Sequence, residues 1–534
     1  MGEVVNLSLS QRANHVLTHL YNNQESHIPY KKNQPVNFFN NVFLSTSKTH
    51  TGHTNYAPRA LVFDLRYGLG SLNKHEYHET PTNFDNIPQS DRFNLDKKIA
   101  KNQYQQNLDK GIASTEAESI LSVENTKFWT DYNKLIYSPS SLNTLQNYDI
   151  GQSPEYGSHH NFPQIKFNTF EVGQKEFSDS TSNLDSQLDS FRRLLEQCDL
   201  LQGVNVVSEL DSAWGGFTTS LLTEFIDEYF NGGISNTKNS IWIYGLHSQG
   251  PSGRSSINEA ISRIKTTIEL SKNSTLFFPI NTAPFSKGIF SSEYEDASLW
   301  HSGAVTSLFI NSLWGLNNQV DNSVSMSTIE DNILRGEHER KIVNDIKLKS
   351  IDSSKVTDIN SLGSIISNVD ISAYYNMSAP KPQDSSSGYI DLSVPTTVPT
   401  KTSSKVINEY FVKNYVTPTE QGKLEEKFAF KDKGIPSNIY RSRDITSIIK
   451  VDTFPYKIFN SQKQFNFYSE FNVSTDYRIE LKAYKDLIKN VRLNSQQLMG
   501  IIEDKAELIE DISHILEHYT ISNEPSDEES DDDY

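Results

Sequence analysis

The chain has 534 residues, of which 36 % are hydrophobic and 22 % are charged, so it can form two or three domains around apolar cores. Its 67 acidic and 49 basic residues give a net charge of −18, which argues against DNA, RNA or an anionic membrane surface as the main ligand. The single cysteine, Cys198, cannot form an intrachain disulfide, which indicates a reducing compartment. Its place in a helical apolar pattern favours a packed thiol over a nucleophile.

Strands alternate with helices along the first part of the chain. Val4–Leu9 is predicted as a strand, and the apolar spacing from Ala13 to Tyr21 predicts a helix directly after it. Further strands are predicted at 60–65, 204–208, 241–246 and 276–280, and further helices at 184–198, 221–229 and 257–270. This alternation predicts an α/β fold with a parallel sheet and helices on both of its faces.

Polar stretches interrupt and follow this pattern. Residues from about 70 to 118 and from about 139 to 183 show no sustained period and are predicted as exposed insertions. Residues 336–410 are predicted as a polar linker or insertion, and 411–520 as a C-terminal region that ends in two helices, at 477–491 and 498–519. Residues 521–534 are predicted as a disordered acidic tail, because seven acids and no base follow from Glu524 onwards.

Three segments, in the same order along the chain, resemble the tubulin/FtsZ superfamily. They are Leu9–His15 at the end of the first strand, Tyr56–Leu65, similar to a Tyr-Val-Pro-Arg-Ala run, and Glu196–Leu222, similar to Gln-Cys-x-x-Leu-Gln-Gly and its phosphate loop. Within the superfamily, several segments resemble the Misato family, the tubulin-like proteins linked to mitochondrial distribution and inheritance in fungi: 6–14, 22–25, 128–131, 137–142 and 214–217. The resemblance implies a tubulin-like nucleotide-binding-type domain over residues 1–335 and a divergent α+β C-terminal domain.

The glycine-rich loop of the resemblance is degenerate. Tubulins hold phosphates with backbone N–H groups of a Gly-Gly-Gly-Thr-Gly-Ser-Gly turn at a helix N-terminus. That pattern falls on Asp211–Phe217, where Gly215 matches a glycine and Gly216 lies one place along. Asp211 would repel phosphate, and Trp214 replaces a small hydroxyl residue. Two interpretations stay open, an anion-binding nest at the two glycines and a tight strand-to-helix turn, and the second is favoured.

Gln11, Asn14 and Asn281 complete the candidate cofactor-binding residues. Gln11 and Asn14 match a polar pair whose side chains, by the resemblance, can reach phosphate, metal-bound water and base; the alternative is that they cap the first helix. Asn281 falls where tubulins place a guanine-contacting asparagine. The expected cofactor is none, with GTP as the one candidate, and no metal site is expected.

The residues that tubulins use for hydrolysis are also changed. By the resemblance, a neighbouring subunit supplies acids from an Asn-Val-Asp-Leu-Thr-Glu loop to position the attacking water. The best match is Ser323–Thr328, in which Ser325 and Thr328 stand at the acidic positions. We therefore expect no catalytic residue and no GTPase activity.

The resemblance implies two alternative functions. The first is a non-enzymatic tubulin-like protein in the partitioning and inheritance of mitochondria and mitochondrial DNA and in mitochondrial distribution and morphology, with tubulin or the cytosolic chaperonin as candidate partners. The second is a GTP-binding, polymerising GTPase. The start of the chain lacks the basic amphipathic character of a transit peptide. We therefore expect the protein in the cytoplasm and on the cytosolic face of the outer mitochondrial membrane, attached peripherally without a membrane span.

Overall fold

The computed structural model describes most of the chain between residues 2 and 520. The described residues are 2–29, 41–48, 54–74, 76–77, 99–112, 120–151, 157–179, 181–230, 239–248, 257–351, 388–394, 409–418, 432, 434–443, 445–460, 465–490 and 505–520. The predicted acidic tail and the first part of the last predicted helix lie outside them. No helix in these ranges is long and apolar enough to cross a membrane.

A seven-stranded sheet organises the first part of the fold. Its strands are β1 (Glu3–Leu9), β4 (Ala60–Arg66), β5 (Leu142–Asp149), β6 (Ser158–His159), β7 (Leu201–Glu209), β8 (Ser240–His247) and β9 (Leu276–Asn281). Between β1 and β4, the strands β2 (Leu44–Lys48) and β3 (Thr54–Pro58) form a separate antiparallel hairpin. The sheet order is β6-β5-β4-β1-β7-β8-β9, and all neighbours are parallel except β5 and β6. The predicted parallel α/β fold is therefore confirmed.

Helices flank this sheet. They are α1 (Gln11–Ser26), α2 (Gln103–Asp109), α3 (Phe170–Asp179), α4 (Thr181–Glu196), α5 (Ala213–Tyr229), α6 (Ile257–Lys272), α7 (Leu299–Asn318) and α8 (Met326–Leu334). Nearly every residue of α7 is buried, and α7 packs against α1. Helix α5 packs closely against its two neighbours α3 and α6.

A second, six-stranded sheet follows. Its strands are β10 (Phe285–Lys287), β11 (Asp345–Ser350), β12 (Tyr389–Asp391), β13 (Tyr410–Pro418), β14 (Ser437–Ser442) and β15 (Phe467–Ser474), in the order β10-β12-β11-β15-β13-β14. Only β13 and β14 are parallel neighbours in it. The chain then forms α9 (Tyr477–Asn490) and α10 (Lys505–His518), which pack together, and one continuous hydrophobic core joins both sheets.

Three sequence expectations need correction. The stretch from 139 to 183 is not an open insertion, because it contributes β5, β6 and α3. The stretch 336–410 is not only a linker, because β11 and β12 are strands of the second sheet. In the stretch from 70 to 118, α2 buries Tyr104 against a small cluster that includes Trp300. Cys198 lies two residues beyond the end of α4, half-buried, with its Sγ 3.3 Å from the Leu194 carbonyl oxygen.

Candidate site at the carboxyl edge of the parallel sheet

The carboxyl ends of β1, β4, β7, β8 and β9 meet at one edge of the first sheet, here called the carboxyl edge. Open parallel α/β sheets bind their ligands at such an edge. Here Gln11 begins α1, Asp211 lies in the loop between β7 and α5, and Asn281 ends β9. Gln11 and Asn281, two of the residues predicted from the sequence, therefore lie at this edge. Whether these side chains can serve a ligand depends on what they already contact.

Ser10, rather than Gln11 or Asn14, caps the first helix. Its backbone has a φ of 129°, and its side chain accepts a hydrogen bond from the Ala13 N–H at 3.0 Å. The interpretation of Gln11 and Asn14 as the capping pair is therefore wrong. Gln11 is half-buried, and its Nε2 donates to the Gly68 carbonyl oxygen at 3.1 Å, which ties α1 to the end of β4.

Asn14 is part of a buried hydrogen-bond network. Its Oδ1 accepts from Ser8 Oγ at 2.7 Å, and its Nδ2 lies 3.0 Å from both the Phe63 carbonyl oxygen and Asp64 Oδ2. Trp129 Nε1 donates to the same Asp64 oxygen at 3.0 Å. Burial raises the pKa of Asp64 to about 7, although these N–H donors oppose the shift. Both ends of the Asn14 amide are therefore used inside the protein.

Asp211 is held by groups of its own chain. Its Oδ2 lies 2.7 Å from His247 Nδ1 and accepts from the Ser248 N–H at 2.8 Å, and its Oδ1 lies 3.8 Å from the Arg263 guanidinium. Burial alone would raise the pKa of Asp211, but His247 and Arg263 outweigh burial and lower it. Asp211 is thus an ionised anchor between β7, β8 and α6, a role that its spacing in the sequence did not reveal.

A second carboxylate lies beside the N-terminus of α5. Ser212 caps this helix; its Oγ donates to Glu209 Oε2 at 2.9 Å and accepts from the Trp214 N–H at 3.4 Å. The Arg12 guanidinium lies 3.6 Å from Glu209 Oε1 and donates to Thr282 Oγ1 at 2.9 Å. Negative charge therefore occupies the position where phosphate binding requires free N–H groups.

Gly215 and Gly216 lie inside α5 and allow its neighbours to approach. A Cβ atom on Gly216 would lie 1.9 Å from the Phe170 carbonyl oxygen of α3, and one on Gly215 would lie 2.0 Å from Thr266 Oγ1 of α6. The Gly215 N–H already donates to the Ser212 carbonyl oxygen at 3.1 Å. The two glycines are therefore needed for helix packing, and they lie in the first turn of α5 rather than in a tight strand-to-helix turn.

We expect Gly216→Ala to lower the stability of the chain by roughly 2 kcal/mol, because overpacking exceeds the gain in helix propensity of about 1 kcal/mol. Gly215→Ala should be destabilising as well, and Thr266→Ala should partly restore it by removing the clashing Oγ1 and Cγ2 atoms. Thr266→Ala should not restore Gly216→Ala, because that clash is with backbone. Urea unfolding of the two glycine variants, each with and without Thr266→Ala, checks this. Equal rescue of both glycine variants by Thr266→Ala would contradict it.

The remaining predicted positions also form internal contacts. Asn281 is buried, and both ends of its amide bond the Ala283 backbone, at 3.0 and 3.1 Å. Ser325 caps α8, with its Oγ 2.8 Å from Thr328 Oγ1, at the junction between α7 and α8. Among the described residues, no group of three or more His, Cys, Asp or Glu side chains could hold a metal ion.

These contacts do not fit the phosphates of a nucleotide. The glycines face packed helices, the N-terminus of α5 is capped, and Glu209 and Asp211 place two carboxylates just before that N-terminus. Instead, ion pairs and side-chain hydrogen bonds hold together the carboxyl ends of β1, β4, β7, β8 and β9.

Comparison with known proteins places the chain among its relatives. A Misato Segment II tubulin-like domain model matches residues 2–110, and a tubulin domain model matches residues 118–317. "Protein DML1" of Scheffersomyces stipitis is 93 % identical over 534 residues, which is the full length of both chains. The chain belongs to the Misato/DML1 family. Two further relatives of the same name, from Debaryomyces hansenii and Candida albicans, are 42 % and 35 % identical over 99 % of this chain and 100 % of their own.

The carboxyl edge lies inside the two matched domains. The Misato segment contains β1, α1 and β4, and the tubulin domain contains β7 to β9 with the helices between them. The family resemblance drawn from the sequence motifs is therefore confirmed, and the closed polar network belongs to the tubulin-like part of a Misato/DML1-family chain.

Proposed function

We propose that this Misato/DML1-family protein is a non-enzymatic tubulin-like protein that acts in the partitioning and inheritance of mitochondria and mitochondrial DNA, and in mitochondrial distribution and morphology. The observation that carries the non-enzymatic part is the internal anchoring of Asp211 by His247 and Arg263 at the carboxyl edge. The mitochondrial part rests on the family resemblance. Its candidate partners are tubulin and the cytosolic chaperonin.

Depletion and rescue in the native cell test this proposal. We expect depletion to leave daughter cells without normally distributed mitochondria and mitochondrial DNA. Gln11→Ala and Ser325→Ala should restore inheritance fully, because neither side chain serves a nucleotide in a non-enzymatic protein. Gly216→Val, which overfills the contact between α3 and α5, is the control for a folding defect. Failure of Gln11→Ala to rescue, at a normal protein level, would contradict the proposal.

We further propose that the protein works in the cytosol and on the cytosolic face of the outer mitochondrial membrane, held there by a protein partner. The position of β1 supports this side, because β1 lies in the middle of the sheet, between β4 and β7, and its residues are almost all buried. Cleavage beyond Leu9 on import would remove that central strand. Protease added to intact mitochondria should therefore degrade the attached protein, whereas protection until the outer membrane is opened would place it inside.

The second candidate function is a GTP-binding, polymerising GTPase. The tubulin-like fold favours it, together with the half-exposed Gln11 at the carboxyl edge. It requires a water-positioning acid, whereas Ser325 and Thr328 carry hydroxyl groups that bond each other. GTP turnover that rises with protein concentration would favour this candidate over the first.

A further inference from the structure

A cavity of about 550 Å³ opens where three segments meet, at residues 121–124, 292–301 and 452–458. Its volume lies within the roughly 300–1,000 Å³ of typical ligand-binding cavities. None of its lining residues belongs to the carboxyl edge contacts described above. The cavity is therefore separate from the carboxyl edge.

Hydrogen bonds fix the walls of this cavity. The Trp300 indole N–H donates to the Thr453 carbonyl oxygen at 3.1 Å, and the Ser291 N–H donates to the Ile458 carbonyl oxygen at 2.8 Å. These bonds join the first turn of α7 and the loop before it to the segment before β15. The cavity is thus formed by the fold itself, so a ligand would not need to order it.

Carboxylates dominate the charge of the lining. Glu124, Glu293 and Glu295 are exposed at the cavity, and the exposed cation of the lining is Lys457. Asp452 also lines it, but it already accepts a hydrogen bond from Lys134 Nζ at 3.1 Å. Three open carboxylates against one ammonium group favour a positively charged occupant.

Aromatic rings complete the surface that a cation would meet. Trp300, Phe454 and Tyr456 line the same cavity. Guanidinium and ammonium groups bind both to carboxylates and to aromatic faces, and arginine stacks on such faces with particular ease. This combination is more specific than a cluster of acids at an open surface.

His301 adds a hydrogen-bond donor. The residue is only 5 % exposed and lines the cavity, and its Nδ1 accepts from the Glu295 N–H at 3.2 Å. Burial lowers the pKa of His301 to about 4, so the ring is neutral near pH 7. With Nδ1 as acceptor, the proton must be on Nε2, which has no hydrogen-bond partner among the described residues. This donor is therefore available to an acceptor inside the cavity.

We propose that this cavity binds a basic peptide segment of a partner protein. An arginine or lysine side chain lies between Glu293, Glu295 and Glu124 and against the aromatic rings, and a peptide carbonyl of the same segment accepts from His301 Nε2. A peptide supplies both the cation and the neutral acceptor, which nucleic acid and anionic lipid do not. The chain's own acidic end, from Glu524 onwards, has the wrong charge to occupy the cavity.

A binding experiment with the full chain tests the proposal. The probe is a fluorescein-labelled peptide, Gly-Arg-Gly-Arg-Gly-Arg-Gly, and its control carries citrulline in place of arginine. We expect the triple variant Glu124→Gln, Glu293→Gln, Glu295→Gln to bind the arginine peptide about tenfold more weakly than the natural chain. All three side chains are exposed, so the variant should keep its fold, and circular dichroism is the check on this.

A matched variant separates this site from general attraction to an acidic protein. Glu228→Gln, Glu339→Gln, Glu510→Gln removes the same charge from exposed positions away from the cavity, and it should keep natural affinity. Equal weakening in both triple variants would overturn the proposal, as would no weakening in either. Equal affinity for the citrulline peptide, or for free arginine amide, would also overturn it, since neither outcome needs a basic peptide.

Discussion

The free energy of unfolding should fall as the pH drops below about 6.5, because α1 buries His15 and His19 in their neutral form. Burial lowers the pKa of each ring from 6.5 to about 3, and for His15 the neighbouring His19 lowers it further. Between these values the unfolded chain binds a proton on each ring and the folded chain does not. Each histidine therefore removes about 1.4 kcal/mol of stability per pH unit of acidification in that window.

Burial keeps both rings neutral, although their hydrogen bonds to backbone carbonyl oxygens favour the protonated form. His15 Nδ1 lies 2.8 Å from the Tyr132 hydroxyl, and His19 Nε2 lies 3.0 Å from the Trp300 carbonyl oxygen. Asp64 acts in the opposite direction: burial raises its pKa from 3.8 to about 7, so its contribution to stability rises as the pH falls from 7 towards 3.8. The pH dependence of the natural chain is therefore a difference, and variants are needed to separate its parts.

A double variant, His15→Phe with His19→Phe, removes both histidine titrations and fills each position with a somewhat larger aromatic ring. Below about pH 6, the natural chain should lose about 2.7 kcal/mol more of its free energy of unfolding per pH unit of acidification than the double variant does. Urea unfolding followed by tryptophan fluorescence measures this. Should the double variant not fold, His19→Phe alone should show half the change. The exposed His338→Phe is the control, and identical pH dependence in the natural chain and the buried variants would contradict the account.

Asp211→Ala should destabilise the chain by about 3 kcal/mol, because it leaves the buried Arg263 guanidinium without its carboxylate. It also removes the acceptor for the Ser248 N–H and for His247. If Asp211 served only to repel phosphate, the same substitution would leave stability unchanged and would increase the affinity for guanine nucleotide. We expect the loss of stability and no gain in nucleotide binding.

An exposed acid provides the control for this variant. Asp199 is exposed in the turn after α4, and Asp199→Ala should change the free energy of unfolding by no more than about 0.5 kcal/mol. Urea unfolding and titration with GDP, on both variants, give the two readouts. An Asp211→Ala protein with natural stability and new GDP binding would contradict the anchoring role.

The elements that sequence patterns predicted well have strong apolar periods. The spacing from Ala13 to Tyr21 predicted α1, and the run Ile241–Leu246 predicted β8, since one contiguous face or strand is buried in each. β5 was missed because its buried residues are separated by polar ones. Only Leu142, Leu145 and Tyr148 are buried in Leu142–Asp149, a spacing that fits neither a helix nor an alternating strand.

Sequence motifs singled out residues at the strand ends, but they did not reveal what those residues contact. Asp211 finds His247 and Arg263 only when β8 and α6 pack beside it, and no local pattern indicates such a pairing. Gly216 resembles a remnant of a phosphate loop in the sequence, whereas the Phe170 backbone of α3 lies against it in the fold. Asp64 offered a weak signal: an acid inside an apolar run, which usually requires buried donors such as Trp129.

The nucleotide content of the purified full-length chain tests the central claim most directly. Protein isolated without added nucleotide is denatured, and the released small molecules are separated and identified by chromatography. A carboxyl edge closed by Asp211, Glu209 and the packed glycines should release no stoichiometric guanine nucleotide. A GDP or GTP molecule retained by every chain would show that the edge opens to phosphates, and it would contradict the non-enzymatic account.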